Sequence, residues 1–380
     1  MTTHGASQRR RALRNASMLL AVSSLWGAAC GGGAGNQPPT AGTPDTTVEA
    51  GAESSTIHLA LPPDPIWQWI VDSGTLADWE AEHGIHIEAS HPFRTFTALI
   101  SGDADIILVN ALDLPVFAHG LDSDPVIFGK YANDRSIAAA RRTSQATDLA
   151  GVVEGQIAME RQFGSTMLWS LIVERLHSLD FSDNSDDFTF MLTTSGVANA
   201  VDRGDADACI CLPDASIESL STEMVRPLYD GKPAAQLYAE LTGMPDHWML
   251  GEVFAAEREW YRAHPDAIED FLKLWETAVR HWHAHYPELV AAYPELLSVQ
   301  TQQHVDWLTR YLARSNWIAP SVYLAPEDSW SYVGAVTDLQ ARGWIPQDAK
   351  VPSIITNRTA EHHETDSLAD HQADLSEGGE

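Results

Sequence analysis

From residue 56 onward, short apolar runs alternate with longer segments whose apolar residues recur every three or four positions. Residues 56–61 (TIHLAL) alternate and stop at Pro62-Pro63, the pattern of a strand running into a loop. Residues 65–83 place Ile66, Trp69, Ile70, Leu76 and Trp79 at helical spacing, and Gly84 ends the run. A second strand follows over 85–89, a helix over 93–101, and a continuous apolar strand over 105–110, as buried parallel strands are written. The same rhythm recurs: apolar segments over 126–131 and 136–141 that could pair as crossing strands, a strand over 155–159, a helix from Phe163-Gly164 to His177, a strand over 188–192, a helix over 197–203, and a strand over 207–213. Strands alternating with helices at this spacing predict an α/β fold.

Two stretches share one form. "TALISGDADIILVNALDLP" and "NAVDRGDADACICLPDAS" each run from a helix end through Gly-Asp-Ala-Asp into an apolar strand and a polar loop with Pro and Asp. They read as equivalent corners of two similar lobes. From Gly251 to Gly343 the pattern is mostly helical. One helix opens at His264-Pro265 and is interrupted at Tyr286-Pro287 and Tyr293-Pro294, because proline removes a donor and clashes with the preceding turn. Two more helices are expected over 300–314 and 326–342.

The ends of the chain differ in composition. Arg9, Arg10, Arg11 and Arg14 precede the apolar run 18–26, which ends in Gly27-Ala28-Ala29-Cys30; this is the layout of a secretory signal, expected over 1–29. That run is too short for the ~20 apolar residues of a spanning helix. Cys30 stands where a lipoprotein signal places its lipidated cysteine, with Gly27 in place of the usual leucine. Arg10-Arg11-Ala12-Leu13 faintly resembles a twin-arginine signal, but the general secretory route is favoured. Residues 30–55 then read as a flexible tether, rich in Gly, Pro, Ser and Thr and without an aromatic residue. Residues 359–380 read as a disordered acidic tail.

Charge narrows the function classes. The 380 residues carry 53 Asp and Glu against 23 Lys and Arg, a formal charge of −30. Few bases are present to build a cationic face for nucleic acid, and attachment to an anionic membrane calls for a covalent or inserted anchor. Gly-x-Ser-x-Gly, Walker, dinucleotide and His-Glu-x-x-His motifs are absent from the sequence. His281 and His285 have the i, i+4 spacing of a metal pair without a third ligand, so no metal and no cofactor is expected. Cys209 and Cys211 fall on one face of a strand and are expected to be two buried thiols, not a disulfide.

Four motifs, in this order and spacing, resemble the periplasmic solute-binding proteins of ABC importers, in the branch for nitrate, aliphatic sulfonates, taurine and thiamine-pyrimidine precursors: "SGTLADWEAEHGIHIEAS", "LISGDADIILVNALDLPVFAHG", "DLAGVVEGQIAMERQFGSTMLWSLIVERL" and "HPDAIEDFLKLWETAVRHW". The resemblance covers roughly 57–344. It implies a two-lobed type II periplasmic-binding-protein fold, each lobe a mixed, mostly parallel sheet flanked by helices, with a two-strand hinge. Lobe I would comprise 56–140 plus 245–350, and lobe II 141–244. It implies a monomeric receptor, tethered outside the cytoplasm by its lipid, that hands a small solute to a permease in the inner membrane.

In open α/β lobes ligands sit beyond the carboxyl ends of the strands, which selects the loops 62–67, 110–113, 161–166 and 213–216. Gly164-Ser165-Thr166 opens a helix, where free N–H groups and hydroxyls suit a carboxylate, sulfonate or phosphate; equally, Ser165 or Thr166 caps the helix. Arg161 and Arg94 could pair with an anion or stay on the surface. Trp67 and Trp69 point ~200° apart on a helix, so one joins the core and the other can wall the cleft; Trp67 is the candidate wall. Asp64, Asn110, Asp113 and Asp214 lie at strand ends, as ligand contacts or as capping and turn residues. Trp248 lies near the return crossing. The alternative is an enzyme on the same fold, desulfinase-like or pyrimidine-synthase-like, which would need Cys209, Cys211 or His91 in the cleft, or an orphan sensory receptor.

Overall fold

The computed structural model describes residues 55–160, 164–182, 185–193 and 196–356, with the backbone of 363–364. The expected signal, Cys30, the tether up to residue 54, Arg161 and all but two residues of the acidic tail lie outside the described residues. No described helix is long and apolar enough to cross a membrane.

Two sheets carry the fold. The first begins with β1 (Ser55–Ala60), β2 (Ile85–Ser90) and β3 (Ile106–Asn110), all parallel, with β1 between the other two. Between them lie α1 (Pro65–Asp72), α2 (Thr75–His83) and α3 (Thr95–Ser101). The expected single helix over 65–83 is therefore two. Gly74, at φ 80°, adopts a left-handed conformation that an L side chain resists, and the chain turns there. The short α4 (Leu114–Ala118) leads to β4 (Pro125–Asn133). The polar run Asp134–Ser136 then carries the chain into the second sheet, which starts with β5 (Ile137–Arg141). The two apolar segments at this crossing do not pair with each other: β4 pairs with strands of the first sheet and β5 with strands of the second. The crossing thus comes a few residues before the expected 140/141 boundary.

The second sheet continues with β6 (Gln156–Glu160), α5 (Gly164–His177), β7 (Thr189–Thr193), α6 (Val197–Arg203), β8 (Ala208–Cys211), α7 (Ile217–Ser221), β9 (Val225–Pro227) and α8 (Ala234–Leu241), in the strand order β7-β6-β8-β5-β9. The chain returns along β10 (Leu250–Glu257), which runs antiparallel between β3 and β4. This strand falls where the sequence reads as helical. Its VFAA segment is fully buried between two neighbours, and such a run has no period that separates strand from helix. Helices α9 (Arg258–Ala263), α10 (Pro265–Ala292), α11 (Gln302–Leu312) and α12 (Pro326–Ala341) follow. Then β11 (Ser353–Thr356) pairs with β4, and β12 (His363–Glu364), two residues of the expected tail, pairs with β11. Pro287 bends α10 without ending it; the distortion sits at His285, whose φ of −137° leaves the helical range.

The Gly-Asp-Ala-Asp corners match bond for bond. Gly102 and Gly204 cap α3 and α6 with φ of 76° and 85°. Asp105 Oδ2 accepts from the His58 amide at 2.8 Å, and Asp207 Oδ2 accepts from the Gln156 amide at 2.9 Å. Each corner therefore locks the next strand beside an earlier one, β3 on β1 and β8 on β6.

The cysteine expectation is corrected. Cys209 and Cys211 form a disulfide in β8, their Cα atoms 5.6 Å apart, inside the span such a bond bridges. Two same-face positions on one extended strand are close enough to meet the geometric limit that had argued against the pairing.

Candidate functional site

The carboxyl ends of β3, β6 and β8 face one another across the two sheets. Gly164, Ser165, Thr166 and Glu160 from the second lobe, with Asn110 and Asp113 from the first, line a cavity of about 170 Å³, to which Ser136, Ile210, Cys211 and Leu212 also contribute. Four of the sequence candidates, Asn110, Asp113, Ser165 and Thr166, are thus brought together.

Their bonding is specific. The Gly164 amide, first in α5, donates to Asp113 Oδ1 at 2.8 Å, so a carboxylate of one lobe caps a helix of the other. Gly164 is required by close approach: a Cβ there would stand 2.0 Å from Asn110 Oδ1. Asn110 Oδ1 is itself fixed by the Leu112 amide at 3.0 Å. Ser165 Oγ donates to Asp134 Oδ2 at 2.8 Å. Asp134 Oδ1 accepts from the Ser136 amide and hydroxyl at 3.0 and 2.5 Å, and Trp169 Nε1 donates to that hydroxyl at 3.0 Å. Burial pushes the Asp113 carboxyl up to about 7, against the pull of the Gly164 amide and with the help of nearby Asp134. Glu160 is also raised, by partial burial and by Asp214, with Arg135 opposing.

Behind the cavity, Arg135 grips Asp214 with both arms of its guanidinium, at 2.9 and 3.1 Å, and reaches Glu252 at 3.3 Å. It lies 4.4 Å over the Trp317 ring. Burial opposes the Asp214 charge, but Arg135 outweighs it and holds that carboxyl below its usual range. Asp214, a candidate ligand contact, is therefore spent on a buried ion pair at the crossing.

The remaining candidates take other places. Asp64 is the N-cap of α1, accepting from the Ile66 and Trp67 amides at 2.9 and 2.8 Å, while the Tyr131 hydroxyl donates to its second oxygen. Burial pushes it up to about 6, with Tyr131 opposing. Trp67 is 6% exposed and stacks on Trp275, so of the two tryptophans it is the one that joins the core. Trp69 is half-buried and stacks on His281 at 4.0 Å. Arg94 is exposed at the start of α3 and makes no capping bond. Trp248 is half-buried against the core around α8. Arg161 lies outside the described residues. Among those residues no group of three His, Cys, Asp or Glu is arranged to hold a metal.

Sequence reasoning passed over Asp134, Arg135, Ser136, Glu160 and Glu252. The signal for the first three was present: "NDRS" is a polar break between two apolar segments, and it marks the crossing between the sheets.

Solved structures share this architecture. The periplasmic aliphatic sulphonate-binding protein SsuA of Escherichia coli matches at 15% identity and a TM-score of 0.63, covering 78% of this chain and 96% of that one. The alkanesulfonate-binding protein SsuA of Xanthomonas axonopodis pv. citri, bound to MOPS, matches at 14% identity and a TM-score of 0.59, covering 78% and 96%. The periplasmic nitrate-binding protein NrtA of Synechocystis matches at 12% identity and a TM-score of 0.54, covering 78% and 83%. No family model and no curated protein matches the chain. The likeness establishes the periplasmic-binding-protein fold.

Proposed function

We propose that this chain is an extracytoplasmic solute-binding receptor that closes over one small solute between its lobes and delivers it to an ABC import permease. The observation that carries the reading is the interlobe cavity at the carboxyl ends of β3, β6 and β8, lined from both sides and gated by a bond between lobes, Gly164 to Asp113. A receptor needs no reacting group, only two rigid halves and a hinge; the crossing at Asp134–Ser136 and the return into β10 supply the hinge. The fold shared with solute-binding proteins of importers supports the same reading.

Cys30 is the proposed lipid attachment, with 1–29 removed as a signal and 30–55 as the tether. Feeding cells an alkyne fatty acid should label the protein, and Cys30→Ala should abolish the label and release the protein from membranes.

For the binding role, the mature chain carrying Cys30→Ala is screened against a broad solute library by thermal shift. A true ligand raises the midpoint in a concentration-dependent way. A solute that is instead chemically converted by the protein alone would move the reading to an enzyme on this fold.

A further inference from the structure

We infer that the solute held in this cleft is positively charged, a small organic ammonium compound and not a sulfonate or other anion. The inference rests on the receptor reading above and concerns the charge that the cleft selects.

An anion in this cleft would find its position taken. The N-terminus of the 14-residue α5 is where N–H groups and the helix dipole would gather negative charge. Asp113, from the opposite lobe, already accepts the first of those N–H groups at 2.8 Å. The hydroxyl beside it, Ser165, is turned to Asp134. An incoming sulfonate would have to displace one carboxylate and approach two more.

Among the described residues, the cations around the sheet crossing are committed. Arg135 is held by Asp214 and Glu252 and packed on Trp317. Lys130 is paired with the buried Asp328 at 2.7 Å. Among the described residues, no Lys, Arg or His lines the cavity.

The carboxylates have capacity to spare. Asp113 uses Oδ1 for Gly164, and its Oδ2 makes no hydrogen bond among the described residues. Glu160 lines the same cavity and makes none. Ile210 and Leu212 line the same cavity and give it apolar surface, the complement of a short carbon skeleton carrying an ammonium head. A volume of about 170 Å³ restricts the ligand to a small molecule. A bare metal ion fits less well, because among the described residues the two carboxylates are not joined by a third ligand of the His, Cys, Asp or Glu type. The formal charge of −30 acts in the same sense, drawing cations toward the molecule and holding anions off.

The test is calorimetric titration of the Cys30→Ala mature chain with probes of matched size: propylammonium, 1,4-diaminobutane and choline; neutral 1,2-propanediol; 1-propanesulfonate and nitrate; and calcium or zinc chloride alone. The expected result is one-to-one binding of at least one ammonium probe and none of the anions. Asp113→Asn should weaken that binding about tenfold or more, as loss of the buried partner of a charge pair does, and Glu160→Gln should weaken it by a smaller factor because that carboxylate is exposed. Glu160 is exposed, so its variant folds even if Asp113→Asn does not. Binding of propanesulfonate, nitrate or the diol in place of the ammonium probes overturns the charge assignment and leaves the receptor reading standing. So does ammonium binding that neither variant weakens, or binding of the metal ions alone. If no solute of any charge binds, the receptor reading fails and this inference with it.

Discussion

Asp113 does for helix α5 what a bound anion does in an open helix-terminus site, and it does so from the other lobe. Its carboxyl is pushed up to about 7 from an ordinary 3.8, chiefly by burial. A raised acid holds its proton more tightly when folded than unfolded. Its contribution to stability is therefore complete below about pH 4 and is lost as pH rises through 7. In thermal melts between pH 5 and 7.5, the wild type should lose stability relative to Asp113→Asn, with a slope of at most about 1.4 kcal/mol per pH unit. Parallel curves would show that Asp113 is not the group involved, since Asp134 and Tyr332, which face it, remain in both proteins. Asp64 has a structural task. Asp64→Ala removes an N-cap, worth ~1 kcal/mol, and strands the buried Tyr131 hydroxyl at a cost of ~1–3 kcal/mol. Denaturant melts should show a loss of roughly 2–4 kcal/mol, and Asp64→Asn should lose less. At this scale, the shared cavity position of Asn110, Asp113, Ser165 and Thr166 was legible because locating strand ends needs only the strands. Trp67 was misplaced because helical spacing says that two tryptophans diverge without saying which faces the core. Arg135 was missed because its partners, Asp214 and Glu252, are distant in sequence and meet it only after both sheets form.

Elements were legible where local chemistry dictates them. Strands β1, β2, β3, β6, β7 and β8 and helices α5 and α6 fall close to their expected places, bounded by glycines and prolines. The equivalence of the two Gly-Asp-Ala-Asp corners was also visible, because each aspartate does a local job at a strand start. The misses have tertiary causes: β10 is helical or extended by pattern alone, and becomes a strand because β3 and β4 leave a gap between them. The disulfide in β8 can be checked directly. In the unfolded Cys30→Ala chain, a thiol reagent should find no free cysteine before reduction and two after; two free thiols beforehand would restore the original expectation. A ring closed over so few residues removes little unfolded-state entropy, so reduction should lower stability by only about 1.5 kcal/mol.

The whole molecule is clasped on two flanks as well as at the cleft. Helix α5 meets α12 through Glu174 with Arg342 and Arg175 with Asp338. On the other flank, α7 meets α11 through Glu218 with His304 at 3.1 Å and through the Ser221 carbonyl, which accepts from Gln303 at 2.7 Å. The partly exposed ion pairs add little individually, so closure depends on the cleft itself. Gly164→Ala should hold the lobes apart, because the new Cβ would collide with Asn110 Oδ1 at 2.0 Å. Solute affinity should fall about tenfold, the cost of modest overpacking, while far-ultraviolet circular dichroism stays unchanged. The charge of the chain acts at this scale too, as a field that favours cations over anions around a cleft already supplied with carboxylates. The central claim, that one small solute is enclosed between the lobes, is tested most directly by titrating the library's best ligand into the wild type and into Leu212→Trp, which puts a larger side chain on the cavity wall. The account predicts one-to-one binding by the wild type and a loss of at least about tenfold in the variant; equal binding by both proteins, or a library in which nothing binds the wild type, would contradict it.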